Sequence, residues 1–268
     1  MRRICAEEGV CMADRSRDKI WEIARQQSAY DCSCAPEDFL AEENRVFESY
    51  DNEKARKYLG LPHICHLVSY GSNVVVSGQA ALLPEIERIL ADRSDFWQCF
   101  EPRSIYRLNQ VLAKVDARMC FLSEYFLPDK EEIFRWQDVC ACELRMLEPA
   151  DFAGLYLPKW QNALCEDRKH LDRLAVGAYE RGNLVGLAGC SADCDTMWQI
   201  GVDVLPEYRR RGIACALTNR LARETFERGL IPFYSISWAN IRSMKNAVRS
   251  GFRPGWVEAA AKGNSFFA

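Results

Sequence analysis

The chain has 268 residues, 49% of them apolar and 27% charged, enough to fill a sizeable core without disulfide or metal staples. A net charge of −3 gives no basic excess of the kind nucleic-acid binders carry, and no apolar run is long enough to span a membrane. The opening MRRICAEEGV lacks the apolar stretch of a secretory signal, so a cytoplasmic location is expected, with neither nucleic acid nor membrane as a partner.

Residues 15–60 carry a helical pattern. Ile20, Trp21, Ile23 and Ala24 make one apolar stripe, and Pro36 opens a second segment with Phe39, Leu40, Val46 and Phe47. The run stops at Leu59 to Pro62. Ile64 to Tyr70 and Val74 to Ser77 read as strands around a turn at 71–73, then 81–93 and 103–115 as helices, and Arg118 to Leu127 as a strand. Phe96, Trp97, Phe100 and Tyr106 sit at a spacing that suits core packing, with a pocket lining as the alternative. A boundary falls in the charged segment 129–138, separating an N-terminal α+β domain, 1–138, from a second domain, 139–268.

Beyond it, Glu143 to Leu147 reads as a strand, and 151–157 and 162–171 as helices. Ala175 to Glu180 and Leu184 to Cys190 form a hairpin about Arg181-Gly182-Asn183. Met197 to Val204 is a strand, Ile213 to Arg228 a helix, Phe233 to Trp238 a strand, Ile241 to Ser250 a helix and Trp256 to Ala261 a last strand. The order is that of a mixed α/β fold with a mainly antiparallel sheet.

The thirteen cysteines are odd in number and scattered. Their tightest groupings, Cys32 with Cys34, Cys140 with Cys142 and Cys190 with Cys194, lack zinc-site spacing, so reduced thiols are expected. In His63-Ile64-Cys65-His66, a strand would place His63 and Cys65 on one face and His66 on the other, and no metal site is expected.

The run from Ile200 to Ala214, IGVDVLPEYRRRGIA, carries the chemistry. A strand ends at Pro206, a helix starts near Gly212, and a basic loop joins them. Such a junction points several unpaired N–H groups and the positive end of a helix dipole at one place, a site for phosphate. Gly212 allows the backbone to approach a pyrophosphate closely, Ala214 is the next smallest residue, and Arg209, Arg210 and Arg211 add charge. The alternative is a solvated basic turn. Neither a nucleoside-triphosphate loop nor a dinucleotide fingerprint is present.

Arg209-x-x-Gly212-x-Ala214 resembles the [QR]-x-x-G-x-[GA] pyrophosphate loop of the GNAT superfamily of N-acetyltransferases. Asn240 to Ala247, followed by Gly251-Phe252, is similar to that family's last helix and its exit. The resemblance covers roughly the last 130 residues, and the whole chain looks like a two-part bacterial GNAT subfamily with an N-terminal extension. It implies a splayed, mainly antiparallel sheet and acetyl-CoA as cosubstrate. The pantetheine arm would lie against backbone of Val202 and Val204, and the pyrophosphate at Arg209, Arg210, Arg211, Gly212, Ile213 and Ala214. A backbone donor at the strand would also stabilise an oxyanion, by about 3 kcal/mol. Asn240 would touch the arm, or serve as a plain helix N-cap.

The family's usual tyrosine, four residues before Gly-Phe, is here Ala247. Tyr234 and Ser243 are the candidate replacements as general acid, with water as a third. Asp203 and Glu207 are candidate bases, Glu207 also suiting a first-turn acid. Cys215 near the helix start reads as a buried thiol. The function implied is acetyl transfer to a small-molecule or peptide amine. A CoA-binding sensor without turnover and an interaction scaffold are the other readings, and the N-terminal half is expected to shape the acceptor site or a homodimer contact.

Overall fold

The computed structural model describes residues 4–92, 95–137 and 140–267. In chain order its elements are α1 (Ile4–Cys32), β1 (Arg45–Glu48), β2 (Cys65–Ser69), β3 (Val75–Gly78), α2 (Leu83–Ala91) and α3 (Pro102–Leu112). They continue with β4 (Ala117–Pro128), α4 (Lys130–Arg135), β5 (Glu143–Leu147), α5 (Pro149–Phe152), β6 (Asp172–Glu180), β7 (Asn183–Ser191) and β8 (Met197–Val204). The last are α6 (Ile213–Glu227), β9 (Ile231–Ser237), α7 (Ile241–Arg249) and β10 (Phe252–Gly263). The fold is mixed α/β, with mostly antiparallel strands.

Two compact units divide the chain. One comprises Met1–Trp21, Phe126–Ile236 and Asn240–Pro254; the other comprises Glu22–Tyr125, Ser237–Ala239 and Gly255–Ala268.

In the first unit the strands run in the order β9-β8-β7-β6-β5. β5 to β8 are joined antiparallel, and β8 and β9 are parallel, which requires the crossover that α6 provides. Arg181 and Gly182 both have positive φ, as a tight hairpin between β6 and β7 demands. Side chains alternate across the sheet. Leu174, Val176 and Ala178 pack with Leu217 and Leu221 of α6, whereas Ala175 and Leu187 pack with Phe152, Trp160 and Leu164.

In the second unit the order is β1-β3-β2-β10-β4. α2 and α3 present Ile86, Ile89, Leu90, Leu108 and Leu112 to a core shared with Leu67, Val76 and Ala259. A buried ionic network also lies there. Arg56, 3% exposed, donates from Nε to Asp31 (2.5 Å) and from a terminal nitrogen to Glu258 (2.5 Å). Its guanidinium lies over the rings of Tyr58 and Tyr125. Glu258 also accepts from Trp256 (2.7 Å) and meets His66 (3.1 Å), whose other nitrogen lies 3.0 Å from His63.

Several expectations are corrected. The second helical segment before residue 60 is a 3₁₀ turn, Pro36–Leu40, followed by β1, because Arg45–Glu48 pair with β3 in parallel register. Residues 162–171 are not a helix but turns with one 3₁₀ segment, Glu166–Arg168, and of 151–157 only the end of α5 is helical. His63 precedes β2, so strand alternation does not reach it, and its ring meets that of His66 edge-on. Of the four aromatics, Phe100 is buried and Phe96 packs on the core, while Trp97 and Tyr106 are exposed. Among the described residues, no helix is long and apolar enough to cross a membrane, and no group of three or more His, Cys, Asp or Glu is placed to hold a metal.

Candidate active site

The site begins where two strands part. The β8–β9 ladder runs from Met197 opposite Ile231 to Ile200 opposite Tyr234 and stops, while β8 continues to Val204. On its other side β8 stays paired to β7 as far as Val204 opposite Gly186. The amide of Leu205 donates to Val185 (3.0 Å), so by alternation residues 203, 201 and 199 turn their backbone groups toward β7. The N–H and C=O of Val202 and Val204 therefore face the open edge. Gln199 ties the closed end of the fork by donating to Ser235 (2.7 Å).

The loop after β8 is shaped by its backbone. A 3₁₀ turn, Pro206–Tyr208, leads to Arg209 in extended conformation, then Arg210 at φ 64° and Gly212 at φ 79°. Positive φ is cheap for glycine and costs arginine strain, which points to a constrained turn. Gly212 is the N-cap of α6 and has no side chain to satisfy the first-turn amides. Those N–H groups converge ahead of the helix, the geometry that binds phosphate. Ile213 is buried and anchors the helix, and Ala214 is half-buried. Gly186 lets α6 lie close on β7, since a Cβ there would stand 3.0 Å from Ile213 and Leu217.

The three arginines have separate roles. Arg209 donates from Nε to the carbonyl of Val204 (3.1 Å), capping one open-edge acceptor. Arg211 pairs with Glu180 and lies over the Tyr208 ring. Arg210 is exposed.

At the start of α7, Asn240 accepts the amide of Ser243 (3.2 Å), the geometry of an N-cap. Tyr234 and Ser243 are brought together, hydroxyl to hydroxyl at 2.9 Å. Burial pushes the Tyr234 phenol above its usual range, against smaller downward pulls from Ser243 and Asn246, so it keeps its proton at neutral pH. Asn246 donates from Nδ2 to Thr218 (3.0 Å), while its buried Oδ1 accepts nothing. Ala247 is wholly buried among α6 and strand side chains. Burial also pushes the Cys215 thiol up, despite its place in the first turn of α6.

Asp203 points away from the helices. Its carboxylate accepts from the amide of Asn162 (2.8 Å), the side chain of Asn162 (2.6 Å) and the amide of Ala163 (3.0 Å). Two glycines seat the same segment. A Cβ on Gly201 would stand 1.8 Å from the Asn162 carbonyl oxygen, and one on Gly189 2.1 Å from that of Ala163. This latch lay outside the sequence reading; the one signal for it was glycine at two facing strand positions. Glu207 is exposed in the 3₁₀ turn.

Residues 133–252 match the sequence model described as Acetyltransferase (GNAT) family. No curated protein matches the chain. Among solved structures, a GNAT-family protein from Novosphingobium aromaticivorans DSM 12444 is similar at 18% identity and TM-score 0.39, over 55% of this chain and 66% of its own. A GCN5-related N-acetyltransferase-like protein from Streptococcus suis 89/1591 is similar at 16% identity and TM-score 0.43, over 60% and 68%. An aminoglycoside N-acetyltransferase in complex with CoA is similar at 20% identity and TM-score 0.35, over 45% and 93%. The chain thus spans just under two thirds, at 66%, of the first of these.

Proposed function

We propose, from a GNAT acetyltransferase domain at residues 133–252, that the chain moves an acetyl group from acetyl-CoA to an amine acceptor by direct attack of the amine on the thioester. The observation that carries this reading is the fork: backbone groups of Val202 and Val204 open on one edge of β8, immediately before a loop whose amides converge at Gly212. The loop 209–214 holds the pyrophosphate, with Arg210, exposed like its two neighbours, adding charge. The open edge of β8 takes the pantetheine arm, and an N–H there stabilises negative charge on the thioester oxygen. Arg209 leaves the Val204 carbonyl when that carbonyl is needed by the arm.

The departing thiolate takes its proton from Tyr234, whose hydroxyl is backed by Ser243 and stands in for the missing tyrosine at Ala247. Asp203, engaged by three donors, fixes the 160–164 segment beside β8. The acceptor amine is left unassigned. The buried alanine at 247 favours a second reading, a CoA-binding sensor without turnover.

Thermal unfolding with and without acetyl-CoA tests the site. Ligand at about 100 times its dissociation constant stabilises by about 2.7 kcal/mol, roughly 5–10 °C at about 2–4 °C per kcal/mol. The shift is expected to vanish in Gly212→Glu and to shrink in the milder Arg210→Glu. A well-folded wild type that shows no shift removes the cofactor reading. Release of CoA thiol against a panel of amines then separates enzyme from sensor. In that assay Tyr234→Phe is expected to lose about 10²–10⁴ in rate while keeping the thermal shift, and an unchanged rate removes Tyr234 as the acid.

A further inference from the structure

One pair of thiols has no part in the proposed transfer. At the head of β5 the chain bends at Cys142, whose amide donates to Cys140 Sγ at 3.4 Å. The two thiols are also hydrogen-bonded to each other, beside the Glu180–Arg211 ion pair. Cys140 is half-buried and so open to a small reagent, whereas Cys142 packs into the core edge at 9% exposure. The Cys142 amide, 3.4 Å from Cys140 Sγ, holds that sulfur over the backbone of its partner, with one residue between them.

The chain's other Cys-x-Cys pair is built differently. Cys32 is completely buried, and burial pushes Cys34 up to about 12 and Cys32 well above its ordinary value, so neither supplies thiolate. Burial and the neighbouring Cys140 raise Cys142 to about 11, and the second of these causes disappears once Cys140 is bound in a disulfide.

We propose that Cys140 and Cys142 form a redox-modification site that accepts low-molecular-weight disulfides as its oxidant. The thiolate of Cys140 attacks one sulfur of oxidised glutathione; that S–S bond breaks and one glutathione thiolate leaves. Cys142 then loses its proton and attacks the Cys140 sulfur, closing the protein disulfide and releasing the second glutathione. The dithiol gives up two electrons and two protons, and the oxidised glutathione is reduced to two thiols.

Neither acetyl-CoA nor an acceptor is needed for the test. The native chain is incubated with oxidised glutathione, quenched with acid and digested with trypsin. The peptide 136–145 contains only Cys140 and Cys142, and the peptide 26–45 only Cys32 and Cys34. The expected result is loss of two hydrogens from 136–145, reversed by dithiothreitol, with 26–45 unchanged. In Cys142→Ser, one glutathione is expected to stay attached at Cys140. An unchanged 136–145 peptide, or one carrying glutathione on both cysteines without ring closure, overturns the proposal. So does equal oxidation of 26–45, because spacing alone would then account for the chemistry.

Discussion

In the unit that carries the fork, the polar groups left open belong to the backbone: strand edges at Val202 and Val204, and amides before α6. In the other unit, charged side chains are withdrawn from water, with Arg56, Asp31 and Glu258 pairing in the interior. A backbone site needs only that side chains stay out of the way, so its residues are small and its loop takes positive φ. A buried ionic site needs every partner present, since one unpaired charge in the interior is costly. The first arrangement leaves donors and acceptors for a ligand; the second spends them on one another.

The largest expected effect breaks the second arrangement. Arg56→Leu leaves two buried carboxylates without their cation and is expected to cost about 3–5 kcal/mol in urea unfolding. A loss below about 1 kcal/mol would show that the network relaxes and that the contrast is overstated. Next, Gly201→Ala puts a Cβ against the Asn162 carbonyl and must lift the 160–164 segment, at a cost of about 1–3 kcal/mol. Hydrogen exchange should quicken at Asn162 and Ala163; unchanged exchange there would mean that the seat is not tight.

An effect of about the same size as the last sharpens the contrast through pH. Burial lowers His63 from 6.5 to about 2, so below about pH 6.5 the unfolded chain binds a proton that the folded one does not. Stability then falls by about 1.4 kcal/mol per pH unit on acidification. Glu258, held below its ordinary 4.5 by Arg56 and His66 against the cost of burial, adds a further loss under about pH 4.5. Asp172, in the fork's unit, goes the other way. Burial raises it from 3.8 to about 6, so the folded state holds a proton between those values and gains stability as pH falls through them. Hydrogen exchange, corrected for intrinsic rates, is expected to rise from pH 6.5 to 4.5 in the second unit but not in the first. Equal changes in both would remove the assignment.

How legible each region was follows from range. β5 and β8 were read with their observed bounds, because Glu143–Leu147 and Met197–Val204 carry local apolar patterns closed by turn residues. The strand-to-helix junction at Arg209 to Ala214 was legible for the same reason, since its residues are contiguous. β1 was missed because four residues with two apolar side chains gain strand form only from β3 beside them. The 162–171 segment misled because Ala163, Leu164 and Leu171 mimic a helical stripe, while Asp203 takes the backbone amides at 162 and 163. The pairing of Tyr234 with Ser243 was unreadable, although each residue had been singled out, since it depends on how β9 meets α7. Nothing in the local pattern around Arg56 announces partners 25 and 202 residues away.

That last separation has a consequence for synthesis. β10 pairs with β2, and Glu258 closes the network begun by Asp31 and Arg56, so the second unit waits for residues 257–260. At about 5–20 residues per second a ribosome takes about 10–40 s to travel from Arg56 to Glu258. Through that interval the nascent Arg56 and Asp31 have no Glu258 to meet, and β2 has no β10 on its flank. Residues 22–125 emerge before most of the first unit, yet their own unit is completed after it.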